Sequence, residues 1–282
     1  MAEIARVSEL KPYQGPEHRS FQLGQGPGGV LLIHGFPGTP AEVRGIGKAL
    51  AENGWHARGP LLPGFGPDIV SLADKRREDW LKAVGAEWGA LRADHDPCVL
   101  IGFSMGGALA LHLAQHFPPD RLVLIAPFWR LPGLLPRLVP VLKLVLPEMK
   151  PFKDADFDAP EVQAGFQRLL PDVDLDDPEV RDYLQEEITL PLSVIDEVFR
   201  LGAEAHRLAR TVSVPTLVIQ GRDDQMARPE LTRKLVERLR DGKLDGRMIY
   251  REIGGPHELI HEGSEQQAEV IELIFDFLNE KL

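Results

Sequence analysis

Apolar residues recur along this chain in two alternating rhythms, short unbroken runs and longer stretches with an apolar position every third or fourth residue. GGVLLIH (28–34) reads as a buried strand, and TPAEVRGIGKALAENG (39–54) as a helix stopped by glycine. WHARGPLL (55–62) is a weaker strand, broken by Gly59 and Pro60. REDWLKAVGAEWGALRAD (77–94) is helical, with Trp80, Leu81, Val84, Trp88 and Leu91 roughly on one face. CVLIGFS (98–104) is a strand running straight into the helix MGGALALHLAQHF (105–117), and RLVLIAP (121–127) is another strand. VPTLVIQG (214–221), a helix at 229–240, RMIYREI (247–253) and a last helix at 264–281 complete the alternation. Ahead of residue 28, FQL (21–23) offers at most one poor strand.

Strands that are apolar throughout and separated by helices predict an α/β fold. Its mostly parallel sheet would be flanked by helices on both faces. Between 128 and 210 the rhythm breaks. Proline-punctuated FWRLPGLLPRLVPVLKLVLP (128–147) is followed by acidic DADFDAPE and DVDLDDPE, then by amphipathic SVIDEVFRLGAEAHRLA (193–209). The reading is a core domain built from 1–127 and 211–282, with a mainly helical cap inserted at 128–210.

Composition narrows the field. At 282 residues, 43% hydrophobic and 27% charged, the chain suits a single α/β domain carrying an insertion. Its net charge of −11, from 32 basic and 43 acidic residues, argues against a nucleic-acid partner. A single cysteine, Cys98, excludes an internal disulfide framework and fits a reducing compartment. The first ten residues carry Glu3, Arg6 and Glu9 and do not read as a secretory signal. The apolar stretch 128–147 holds four prolines and three cations, so no membrane span is expected there. A cytoplasmic protein is the expectation, and none of these features selects an oligomeric state.

The candidate chemistry centres on GFSMGG (102–107). G-x-S-x-G between a strand and a helix makes a nucleophile elbow, a strained turn that lifts the hydroxyl of Ser104 above the sheet. Gly102 and Gly106 remove side chains where strand and helix nearly touch, and the Met105 N–H points at any anion forming beside the serine. Serine needs a base oriented by a third group. Asp224 lies just past VPTLVIQG, and His257 lies in the loop after RMIYREI, giving the order serine, acid, histidine. HGFPGTP (34–40) follows the first clear strand, with His34 and Gly35 shaping the loop. The Phe36 N–H serves there as the second oxyanion donor, since Pro37 has none to give.

Through HGFPG, GFSMG, the G-x-x-D of Gly221 to Asp224 and the glycine-rich approach to His257, the chain from about Gly28 onward resembles the α/β-hydrolase superfamily. Within it, the resemblance is to small carboxylesterases and monoacylglycerol lipases. It implies a Ser104–His257–Asp224 triad, an acyl-serine intermediate hydrolysed by water, no metal or organic cofactor, and a lid over an acyl pocket. The implied substrate is an uncharged ester with an apolar acyl chain, of short to medium length or a monoacylglycerol. Thioesters, amides or peptides, and carbon–carbon bonds are alternatives for the same triad. Phe128, Trp129, Leu134, Leu138 and Leu142, in the opening run of the cap, are candidates for the pocket lining, with packing as the competing role. The chain departs from the family pattern at Pro256, in the doubled acid Asp223–Asp224, and in a scarcely recognisable amino-terminal hairpin. Asp224 is preferred over Asp223 because the family's acid falls three residues after the glycine.

Two rival readings compete with this one. HELIH (257–261) matches the H-E-x-x-H zinc signature, but GGP before it and EGS after it leave room for little more than one helical turn. A zinc enzyme would also leave the serine elbow unexplained. The other rival is a binding protein that kept the fold and lost the chemistry, set against a site in which every expected residue type is filled. His112 and His116 read as packed helix positions. GQGPGG (24–29) precedes its strand, the wrong side for a dinucleotide loop.

Overall fold

Val30 and Leu32 face one side of the central sheet and Leu31 and Ile33 the other, and all four are fully buried. That two-sided burial needs a helical layer on each face, and the computed structural model has both. It describes residues 13–133, 135–159, 162–163, 166, 174–186, 188–241 and 248–280.

The described strands are β1 (Phe21–Leu23), β2 (Gly28–Ile33), β3 (Trp55–Gly59), β4 (Cys98–Phe103), β5 (Arg121–Ile125), β6 (Glu148–Met149), β7 (Leu190–Pro191), β8 (Thr216–Gly221) and β9 (Met248–Ile253). The described α-helices are α1 (Ala41–Glu52), α2 (Arg77–Asp94), α3 (Met105–His116), α4 (Leu135–Leu142), α5 (Pro178–Glu186), α6 (Leu192–Leu208), α7 (Pro229–Arg240) and α8 (Gln267–Asn279). Seven strands form one sheet in the order β1-β3-β2-β4-β5-β8-β9, parallel except for β1. The expected α/β class is therefore observed, down to the single short strand at FQL.

On one face, Val30, Leu32, Val99 and Ile101 meet Val43, Ile46 and Leu50 of α1 and Val270, Ile274 and Phe277 of α8. On the other, Leu31, Ile33 and Leu100 meet Trp80, Val84 and Trp88 of α2, with Leu109 of α3 and Leu235 of α7. Each such fully buried aliphatic or aromatic side chain contributes about 1.5–3 kcal/mol relative to exposure. Local signals set the helix starts. The carboxylate of Asp79 accepts the Arg76 N–H at 2.9 Å just before α2. Pro229 opens α7 at its first position, where its missing N–H is not needed.

The segment expected as a cap divides in two. Val194, Val198, Leu201 and Ala205 of α6 join the cluster that covers the sheet, whereas Phe157, Phe166, Leu175, Val180 and Leu184 form a small separate cluster. The strand pair β6–β7, which periodicity did not predict, lies within this segment. Helix α4 leads into Lys143, whose ammonium pairs at 2.5 Å with the buried carboxylate of Asp196, which also accepts from Arg200 at 3.0 Å. Among the described residues, no helix is long and apolar enough to cross a membrane.

Candidate active site

Strand register sets the positions of the site residues. Ile33 of β2 lies opposite Gly102 of β4, so His34, Gly35 and Phe36 leave the sheet beside Phe103 and Ser104. β8 and β9 end together, Gly221 opposite Ile253, and the loops that follow carry Asp224 and His257. All three candidate groups thus stand past the carboxyl ends of parallel strands, where open α/β sheets form their binding crevice.

Ser104 joins β4 to α3 with φ 52° and ψ −117°, left-handed backbone that a side-chain-bearing residue rarely adopts. The surrounding bonds enforce it. The Ser104 N–H donates to the Ile125 carbonyl at 2.9 Å, and the Ser104 carbonyl accepts from Gly107 and Phe128 at 2.9 and 3.1 Å. The two glycines are a steric requirement. A Cβ on Gly106 would collide with the Ile33 carbonyl, and one on Gly102 with the Gly106 carbonyl.

Ser104 Oγ lies 3.0 Å from His257 Nε2, and His257 Nδ1 lies 2.7 Å from Asp224 Oδ2. A carboxylate only accepts, so Nδ1 carries the proton and Nε2 is left to accept from the serine hydroxyl. Asp224 is 1% exposed and saturated with donors. Its Oδ1 accepts the N–H groups of Met226 and Ala227 at 2.8 Å each, and Oδ2 accepts from Gln220 Nε2 at 2.9 Å as well as from the imidazole. Asp223, the rival acid, serves elsewhere. Its N–H donates to the Gly255 carbonyl and its carboxylate accepts the Gly255 N–H, tying the acid loop to the histidine loop.

Met105 is the first residue of α3, so its N–H has no acceptor within the helix. In the loop after β2, His34 is fully buried. Its Nε2 accepts the Leu62 N–H at 3.2 Å, so the proton sits on Nδ1, which donates to the Gly35 carbonyl at 2.9 Å. That bond fixes the peptide plane whose N–H belongs to Phe36. Burial lowers the His34 pKa to about 4, so the ring stays neutral and keeps this pattern through the physiological range.

The expected pocket residues fall in different surroundings. Phe128 is buried directly behind the elbow, its ring stacked on Phe199 at 6.1 Å. Trp129 is committed to the junction of α6 and α7, stacked on His206 at 3.8 Å and donating to the Leu231 carbonyl at 2.9 Å. Leu142 is half-buried, Leu138 is 51% exposed, and Leu134 lies outside the described residues. The HELIH segment forms turns instead of a helix, with Leu259 and Ile260 buried and both nitrogens of His257 engaged by Asp224 and Ser104. The zinc reading thereby loses the helical spacing on which it depended. Among the described residues, no group of three or more His, Cys, Asp or Glu converges as a metal site.

Sequence reasoning passed over three groups around the site. Gln220 is a buried amide at the end of a strand that is otherwise apolar after Thr216, a signal that was available. Glu42 and Tyr13 hold the loop after β2, through the Gly35 N–H and the Pro37 carbonyl, contacts that no local pattern announces.

Comparison with known proteins agrees with this geometry. The chain is 27% identical over 217 residues to a thermostable monoacylglycerol lipase of Bacillus sp. (strain H-257), covering 74% of this chain and 75% of the relative. It is 24% identical over 221 residues to a carboxylesterase of Bacillus subtilis (strain 168), covering 75% and 78%. Among solved structures, one described with LipS and LipT, two metagenome-derived lipolytic enzymes, superposes with a TM-score of 0.74 at 21% identity, over 94% of this chain and 99% of that one. The profile of the Hydrolase_4 family, described as serine aminopeptidase, S33, matches residues 25–264, and the chain belongs to that family.

Proposed function

We propose that this protein is a serine hydrolase of carboxylic esters, acting on short- to medium-chain acyl esters or monoacylglycerols. One observation carries the reading: the continuous string from Ser104 through His257 to Asp224, at 3.0 and 2.7 Å. The choice of an ester over other acyl compounds is supported by the monoacylglycerol lipase and carboxylesterase among its relatives.

His257 Nε2 takes the Ser104 proton as Oγ attacks the ester carbonyl, and Asp224 holds the ring and stabilises its charged form. The negative oxygen of the tetrahedral intermediate is met by the N–H groups of Phe36 and Met105, each worth about 10²–10³ in rate. His257 then protonates the departing alcohol, and the same base activates water to release the acid. Residues 128–191, ahead of α6, act as the cap, with Phe128 and the half-buried Leu142 nearest to an acyl chain.

The test is a panel of p-nitrophenyl esters and monoacylglycerols of graded acyl length, run beside a thioester and an aminoacyl amide, with and without a chelator. The reading expects esters to be turned over best and the chelator to have no effect. Preference for the thioester or the amide overturns the substrate class, and loss of activity with the chelator overturns the serine mechanism.

A further inference from the structure

The loop that carries the Phe36 N–H is held by several side chains, and one of them is an ionisable group with no part in the mechanism above. Glu42, in the first turn of α1, accepts the Gly35 N–H through Oε2 at 2.8 Å. Its carboxyl group fills the inside of the turn, since a Cβ on Gly38 would run into Cδ and both oxygens. On the serine side, the point a Gly35 Cβ would occupy is 3.1 Å from Ser104 Cβ and 3.3 Å from Glu42 Oε2. Nucleophile and carboxyl group therefore border one small space. The outer side of the loop is tethered separately. The Tyr13 hydroxyl donates to the Pro37 carbonyl at 3.3 Å, and His18 Nδ1 lies 2.8 Å from Thr39 Oγ1.

A neutral amide at position 42 would make the same bond to Gly35. What a carboxylate adds is charge, and His257 and Glu258 are the charged groups whose fields reach it, with buried Tyr13 on its other side. Burial raises the Glu42 pKa to about 7, against the Gly35 hydrogen bond and the attraction of a charged His257.

On the reading of the site as a serine hydrolase, we propose that Glu42 is a positioning residue with two tasks. It holds the oxyanion loop through Gly35, and it presents a second negative charge to His257, favouring the imidazolium formed when Ser104 gives up its proton. Asp224 does this along the Nδ1–H bond; Glu42 does it through space from the oxyanion side.

The experiment compares Glu42→Gln, Glu42→Ala and Ser104→Ala with the unaltered protein, measuring kcat, KM and the pH dependence of kcat/KM on p-nitrophenyl butyrate. Glu42→Gln is expected to lower kcat about tenfold and leave KM within about twofold, the signature of an interaction stronger in the transition state. The acid limb of kcat/KM is expected to move to lower pH, because the imidazolium has lost a stabilising charge. Glu42→Ala, which also loses the Gly35 bond, is expected to lose more; if it does not fold, the near-isosteric Gln variant alone decides. Unaltered kcat and an unmoved limb in Glu42→Gln, with Ser104→Ala inactive, overturn this inference and leave the hydrolase reading standing. Equal losses in the Gln and Ala variants with an unmoved limb overturn the electrostatic task. An active Ser104→Ala overturns the hydrolase reading itself.

Discussion

Gln220 donates to Asp224 Oδ2 at 2.9 Å, and its own Oε1 accepts the Thr232 hydroxyl at 2.6 Å. Gln220 and Thr232 are wholly buried and Asp224 is 1% exposed, so the string Thr232–Gln220–Asp224–His257–Ser104 runs from α7 to the nucleophile with little access to water. In such surroundings a missing partner costs about 1–3 kcal/mol per group left unsatisfied.

The first prediction follows from that string. Gln220→Met keeps the volume and removes the donor, and is expected to lower kcat about tenfold while KM stays within about twofold. Steady-state kinetics on a p-nitrophenyl ester checks it. Unchanged kcat would mean that the backbone donors of Met226 and Ala227 suffice to hold Asp224.

Gly106→Ala tests the elbow. The added methyl group would be driven into the Ile33 carbonyl, whose backbone is fixed in the sheet, while Gly106 is fixed in the first turn of α3. A loss of about 3 kcal/mol or more is expected in denaturant unfolding. At exposed Gly89 on α2, where a Cβ would meet nothing within 4 Å, Ala is expected to be neutral or stabilising by up to about 1 kcal/mol.

The legible part of this protein is its sheet and the reactive centre on it. Unbroken apolar runs named the strands because parallel strands are buried on both faces, and two helices begin and end where their sequences predict, Arg77–Asp94 and Pro229–Arg240. Ser104, Asp224 and His257 were readable because each follows a strand end in a fixed order. Glu42 was not, since an acidic residue in a first helical turn already has a sufficient local explanation in the helix dipole. The destination of α6 was also hidden. An amphipathic stripe says that Val194, Val198 and Leu201 are buried, and says nothing of whether they cover the sheet or another part of the cap.

Arg44 supplies a third prediction. Its guanidinium donates to the carbonyls of Pro16, Glu17 and Arg19 and lies over the Phe21 ring at 4.6 Å, pinning the strap of residues 13–20 from which Tyr13 and His18 reach Pro37 and Thr39. Arg44→Met is expected to open residues 13–20 to limited proteolysis and to lower kcat severalfold without unfolding the sheet. Resistance to proteolysis with full activity would show that the strap holds without it.

A fourth concerns stability and pH. Because the folded protein raises the Glu42 pKa from 4.5 to about 7, it favours the protonated form. Stability from this group is intact below about pH 4.5, falls as pH rises toward 7, and stays low above it. Gln cannot ionise, so the Tm of Glu42→Gln relative to the unaltered protein is expected to rise between pH 5 and pH 8, by a few degrees. A Tm difference that is flat with pH would contradict the burial assigned to this carboxyl group.

Covalent labelling addresses the hydroxyl and the imidazole together. The protein is incubated with a fluorophosphonate and digested, and the adduct is located by mass spectrometry. One adduct is expected, on Ser104, absent in Ser104→Ala and slowed by about 10³-fold or more in His257→Ala. A protein that still cleaves esters while Ser104 stays unlabelled, or that labels equally fast without His257, would contradict the account.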